Sequence, residues 1–103
     1  MSDGVRIDGM CIGILRDVEV EAHVDYFYVA DLWAPDPRYE SRQMNIGQSR
    51  GLFRIQKQTL DAELIYRAFG DNTEKCFLKA ASKVIREFKA VGSWVDRSQY
   101  AAG

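Results

Sequence analysis

The chain is poor in the residues that carry most recognisable chemistry. It has one histidine, two cysteines and two prolines in 103 residues. Cys11 and Cys76 stand far apart, no Cys-x-x-Cys pair occurs, and His23 is alone. No zinc framework can be assembled from such a set, so neither a metal nor another cofactor is expected. Both thiols read as buried and reduced, with a single bridge between them as the alternative. No apolar run approaches the roughly 18 residues of a membrane span. The acidic start, with Asp3 and Asp8, lacks the positive charge of a signal peptide. A cytoplasmic protein without a membrane partner is the expectation.

The familiar catalytic signatures are missing too. Gly-x-Ser-x-Gly, His-Glu-x-x-His and a convincing Ser/His/Asp set do not occur. Gly47-Gln48-Ser49-Arg50-Gly51 is no phosphate loop, because it lacks a Gly-Lys-Ser/Thr end and leads into a strand. Cys11 has no activating neighbour in the sequence. No catalytic residue is assigned.

What is present is a globular composition, 47% hydrophobic and 28% charged, which excludes wholesale disorder. The length suits one domain spanning 1–103. A net charge of −1 argues against a generic polyanion binder. The charge is unevenly placed, however. Residues 1–34 hold two basic and seven acidic groups, whereas 35–58 hold five basic and two acidic. The N-terminal strands are acidic and the middle of the chain is basic.

From Met10 to Leu32 apolar residues keep to even positions: Ile12, Ile14, Val18, Val20, Ala22, Val24, Tyr26, Tyr28 and Ala30. A two-residue period puts them on one face of a sheet. One strand of that length would reach roughly 75 Å, about twice the width of such a domain, so it must fold back. A three-residue connection at Leu15-Arg16-Asp17 sets Ile14 opposite Val18; a turn at His23-Val24-Asp25 is the alternative. The first gives strands at about 9–15 and 18–33. Pro35 and Pro37 then end the strand, and 35–51 shows no period, reading as a long basic loop. A second hairpin is expected from 52–58 and 63–69, pairing Phe53 with Ala68, Ile55 with Tyr66 and Lys57 with Leu64. Asp71 and Glu74 have capping-box spacing. Phe77, Leu78, Ala81, Val84, Ile85 and Phe88 recur at helical spacing up to a stop at Gly92. The tail, 93–103, carries Trp94, Val95 and Tyr100.

The fold class that follows is α+β: an antiparallel sheet of four to five strands, in two hairpins, with one long C-terminal helix packed on one face. One helix covers one face. The other face keeps Phe27, Val29 and Trp33, joined by Ile65 and Phe69, and apolar patches of that kind mark interfaces. The leading function is therefore a small non-enzymatic interaction domain that forms a homodimer through this face. Internal cover by the 35–51 loop or the Trp94 tail is the competing explanation.

Two other constellations suggest chemistry. Arg38, Tyr39, Arg42 and Arg50 combine guanidinium forks with an aromatic ring, and Lys75, Lys79, Lys83, Arg86 and Lys89 line the polar side of the helix. Both suit an anionic partner. Glu19, Glu21, His23 and Asp25 fall on one strand face, where His23 and a carboxylate could serve a small-molecule or enzymatic pocket between sheet and helix. Over 52–91 the element order, with Ala80-Ala81 and Lys83, resembles the second half of a double-stranded-RNA-binding domain. The residues depart from that family. Glu74-Lys75 replaces its lysine pair, Leu78 holds its third lysine position, and no first helix precedes the sheet. A carboxylate facing phosphate is unfavourable, so nucleic acid is the least favoured partner.

Overall fold

The computed structural model describes residues 5–101. The strands are β1 (Arg6–Glu19), β2 (His23–Asp36), β3 (Tyr39–Gln56), β4 (Ala62–Tyr66) and β5 (Arg97–Ala101), with helix α1 (Lys75–Val91) between the last two. They form one antiparallel sheet in the order β4-β3-β2-β1-β5, with α1 carrying the chain from one edge to the other. This is the expected α+β architecture. The tail supplies its fifth strand, pairing Cys11–Leu15 of β1 with Arg97–Ala101.

The even-numbered face builds the core. Ile12, Ile14, Val24, Tyr26, Tyr28 and Ala30 are buried beside Phe53 and Ile55 of β3. Cys76, Phe77, Ala80, Ala81 and Val84 of α1 close over them. Each fully buried aliphatic or aromatic side chain contributes about 1.5–3 kcal/mol. Phe53 sits at the centre, its ring 5.8 Å from Tyr26 and 5.7 Å from Phe77. Met10, whose parity matches this set, lies outside the described side chains, as do both ends of the chain (1–4 and 102–103).

Two buried tyrosines need partners for their hydroxyls, and both find them. Tyr26 donates to the Val95 carbonyl at 2.7 Å, which ties the segment after α1 to the sheet. Tyr28 donates to Asp71 Oδ2 at 2.9 Å and accepts from the Ala68 N–H at 3.1 Å. The Tyr28 ring reaches that spot by crossing Gly51, where any Cβ would overlap it. Asp71 in turn accepts from the Cys76 and Phe77 N–H groups at 3.0 and 3.1 Å. Asp71 thus caps α1, but the reciprocal half of the expected box is not formed: Glu74 adopts a left-handed backbone and its side chain caps nothing. Gly92 ends the helix in the left-handed conformation, with its N–H on the Phe88 carbonyl, as the sequence suggests.

Several local expectations are corrected. The first hairpin turns at 20–22, not at 15–17 or 23–25, closed by the Val20 N–H on the His23 carbonyl. Ile14 therefore faces Tyr28 rather than Val18. A register shift between Arg16 and Val18 leaves Asp17 as an extra residue. The parity rule breaks there, and Val18, Val20 and Ala22 fall outside the core. The supposed 35–51 loop is mostly strand: β2 runs through Pro35, a two-residue turn at Pro37-Arg38 follows, and β3 begins at Tyr39. Asp36 Oδ1 accepts the Arg38 N–H at 2.9 Å and shapes that turn. Pro35 pairs with Gln43 of β3, and among the described residues β1 pairs no further along β2 than Trp33, so Pro35 lies where β2 has an open edge, a position at which proline is tolerated. The second hairpin pairs Phe53 with Leu64 and Ile55 with Ala62, a tighter register than expected. Ile65 is an extra residue in β4, and Tyr66 consequently lies away from the core.

Candidate functional site

The sheet face opposite α1 is built from the odd positions of β2. Phe27 stands in register with Leu15 of β1 on one side and Leu52 of β3 on the other, and Leu52 pairs with Tyr66 of β4. Four apolar side chains thus form a row across four strands, about 14 Å from first to last at the usual strand spacing. Leu15 is 43% exposed and Tyr66 47%, while Phe27 and Leu52 between them are half-buried by their neighbours. The next row runs Gly13, Val29, Arg50. The Arg50 guanidinium lies 4.8 Å from the Phe27 ring centroid, a cation–π contact that keeps a charge over apolar surface.

Both segments flanking α1 turn away from this face. Ala68 and Asp71 bind Tyr28 on the helix side. Trp94 stacks on Phe88 of α1 at 4.0 Å, and its carbonyl accepts from Arg16. The 39–50 segment lies beside β2 as a strand and not over it. Neither source of internal cover proposed from the sequence acts among the described residues.

Of the candidate residues, Phe27, Val29 and Arg50 come together. Trp33 is on the same face but six residues along β2, paired with Asn45, about 20 Å from Phe27. Arg38, Tyr39 and Arg42 sit at the far turn of the β2–β3 arm. There Arg38 pairs with Asp36, and both guanidinium groups flank the Tyr39 ring at 5.8 and 5.2 Å. The arginines therefore form two separate groups. Ile65 and Phe69 are exposed but belong to the bulge and the connection after β4, outside the row. Sequence reasoning misses Leu15, Leu52 and Tyr66 for identifiable reasons. It puts Leu15 in a turn, pairs Tyr66 with Ile55 of the core face, and finds Leu52 only as the first residue of a strand.

The acidic constellation is dispersed. Glu19 ends β1, Glu21 is in the turn, and His23 and Asp25 belong to β2. Asp25 is buried and held by the Arg54 fork at 2.9 and 3.2 Å, with His23 Nε2 at 3.9 Å. The carboxylate in turn holds the Arg54 proton more firmly than usual. Glu19 is bound by Lys57 at 2.8 Å. Among the described residues no cluster of His, Cys, Asp or Glu could hold a metal ion. His23 and Asp25 lie on the side away from α1, and the space between sheet and helix is filled by Tyr26, Phe53 and their neighbours. Cys11, at an odd position, is exposed, contrary to expectation; Cys76 is buried, and both thiols are free.

Among the described residues no helix is long and apolar enough to cross a membrane. Comparison with protein-family models, curated proteins and solved structures finds no match to this chain.

Proposed function

We propose that this domain is a non-enzymatic interaction module that self-associates through its open sheet face. The observation that carries this reading is the in-register row Leu15–Phe27–Leu52–Tyr66 on a face that no described element covers. A twofold axis through that face would lay the row of one copy across that of another, an isologous contact in which each residue meets its own kind or a neighbour. Arg50 lies over Phe27, near the middle of such a contact, where its guanidinium rests on an aromatic ring; arginine and aromatic side chains are both enriched at interfaces.

Sedimentation or light scattering at micromolar concentration should give twice the 11.8 kDa chain mass. Phe27→Glu, which places a carboxylate at the centre, should yield monomers with an unchanged circular dichroism spectrum. Trp33→Glu should weaken association less, because Trp33 stands away from the row. A wild-type monomer at high micromolar concentration would remove the proposal.

A further inference from the structure

On the other side of the molecule a groove of ≈ 570 Å³ runs between the outer surface of α1 and β5. Lys75, Leu78, Lys79, Ser82 and Arg86 line it from the helix and Tyr100 from the strand. At 100° per residue these five helical positions fall within a stripe about 100° wide and about 16 Å long. No acidic side chain shares the stripe. The nearest carboxylate partner on the helix, Glu87, lies off to one side and pairs with Lys83 at 3.5 Å. Lys83 is thereby removed from the basic row that the sequence suggests. Lys75 and Arg86 have no carboxylate within salt-bridge distance among the described residues. Lys79 is drawn across the groove, donating to the Tyr100 hydroxyl at 3.1 Å.

Like charges one turn apart repel, and among the described residues no carboxylate pairs with Lys75, Lys79 or Arg86. The helix N-terminus does not account for Lys75 either, because the positive end of the helix dipole disfavours a cation there. The groove also has an apolar component: Leu78 is 59% exposed, beside the Tyr100 ring. Its volume lies within the range of small-molecule sites. Cations at both ends with an apolar wall between them match one chemistry. We infer that this groove binds a small phosphate-bearing molecule with an aromatic or aliphatic portion, of about nucleotide size. The phosphate groups are met by Lys75 and Lys79, one turn apart, the apolar portion rests on Leu78 and Tyr100, and Arg86 supplies the charge at the far end of the groove. This site is independent of the open sheet face.

The test is a titration of the isotope-labelled protein at low salt, followed by amide chemical shifts, with ADP and inorganic pyrophosphate as separate probes. ADP should give saturable shifts confined to the groove, and bind at least about threefold tighter than pyrophosphate because it adds apolar contact. The double variant Lys75→Glu/Arg86→Glu, whose sites are exposed, should keep its thermal unfolding profile and lose about tenfold or more in affinity. Phe27→Glu should bind ADP normally. Absence of saturable binding, or equal affinity for the two probes, overturns the inference. So do shifts shared with Arg38 and Arg42, or an unaffected double variant.

Discussion

Cys76 and Asp71 meet at the start of α1, in the most tightly connected polar part of the interior. Burial, reinforced by the Asp71 charge, pushes the Cys76 thiol up from 9.0 to about 11. Burial likewise raises the Tyr26 and Tyr28 phenols well above their ordinary value. For Cys76 the folded state favours the neutral form, so the thiol's contribution is complete below pH 9 and disappears as pH rises through about 11. Urea unfolding midpoints of wild type and Cys76→Ala should therefore differ by a constant amount up to pH 9. Above it, the wild type should lose ground relative to the variant. Thiol titration at neutral pH should detect Cys11 quickly and Cys76 only after denaturation. Equal reactivity of the two thiols would contradict the burial of Cys76.

The helix depends at its N-terminus on a single side chain from outside it. Asp71 satisfies two amides and the Tyr28 hydroxyl together, so Asp71→Ala should leave three buried donors without a partner. The expected cost is about 2–4 kcal/mol in chemical denaturation; a loss below about 0.5 kcal/mol would show that water replaces the carboxylate at no penalty. The β2–β3 arm presents the opposite situation. Most residues of β3 from Tyr39 to Arg50 are exposed, and a strand wet on both faces needs no alternation of apolar and polar residues. That is why 35–51 carries no period and reads as a loop. The outer edge of this stretch has no partner strand among the described residues, since β4 pairs only from Leu52 to Ile55. Glu40, Arg42 and Arg50 put charge along it, one of the ways in which sheet edges resist uncontrolled pairing.

The whole molecule is a slab of 50 × 25 × 18 Å with a radius of gyration of 15.0 Å, against roughly 13 Å for a compact chain of this length. Three strands continue past the part that one 17-residue helix can cover. Much of the sheet therefore relies on a single core layer, and a second copy on the open face would supply the missing layer. If so, the melting temperature should rise with protein concentration, because association draws the equilibrium toward the folded state. Scanning calorimetry over a hundredfold range would check this. A melting temperature independent of concentration, together with a monomeric mass, would show that the lone slab is stable as it stands.

Alternation along β2 and helical spacing along α1 determined the fold class and the centre of the core, though not its limits, since Val18, Val20, Tyr66 and Leu78 are exposed. Both patterns exist because one side of each element must leave water. The same reasoning located the uncovered face through Phe27 and Val29. Tertiary structure alone decided where the chain turns, because extra residues at Asp17 and Ile65 shift parity with no mark in composition. It alone decided that the tail becomes an edge strand beside β1, which hydrogen bonding to a distant backbone dictates and side chains do not announce. The row Leu15–Phe27–Leu52–Tyr66 and the groove joining Lys79 to Tyr100 each unite residues far apart in sequence. Their existence depends on register and on the crossing of α1, quantities that only the folded chain possesses.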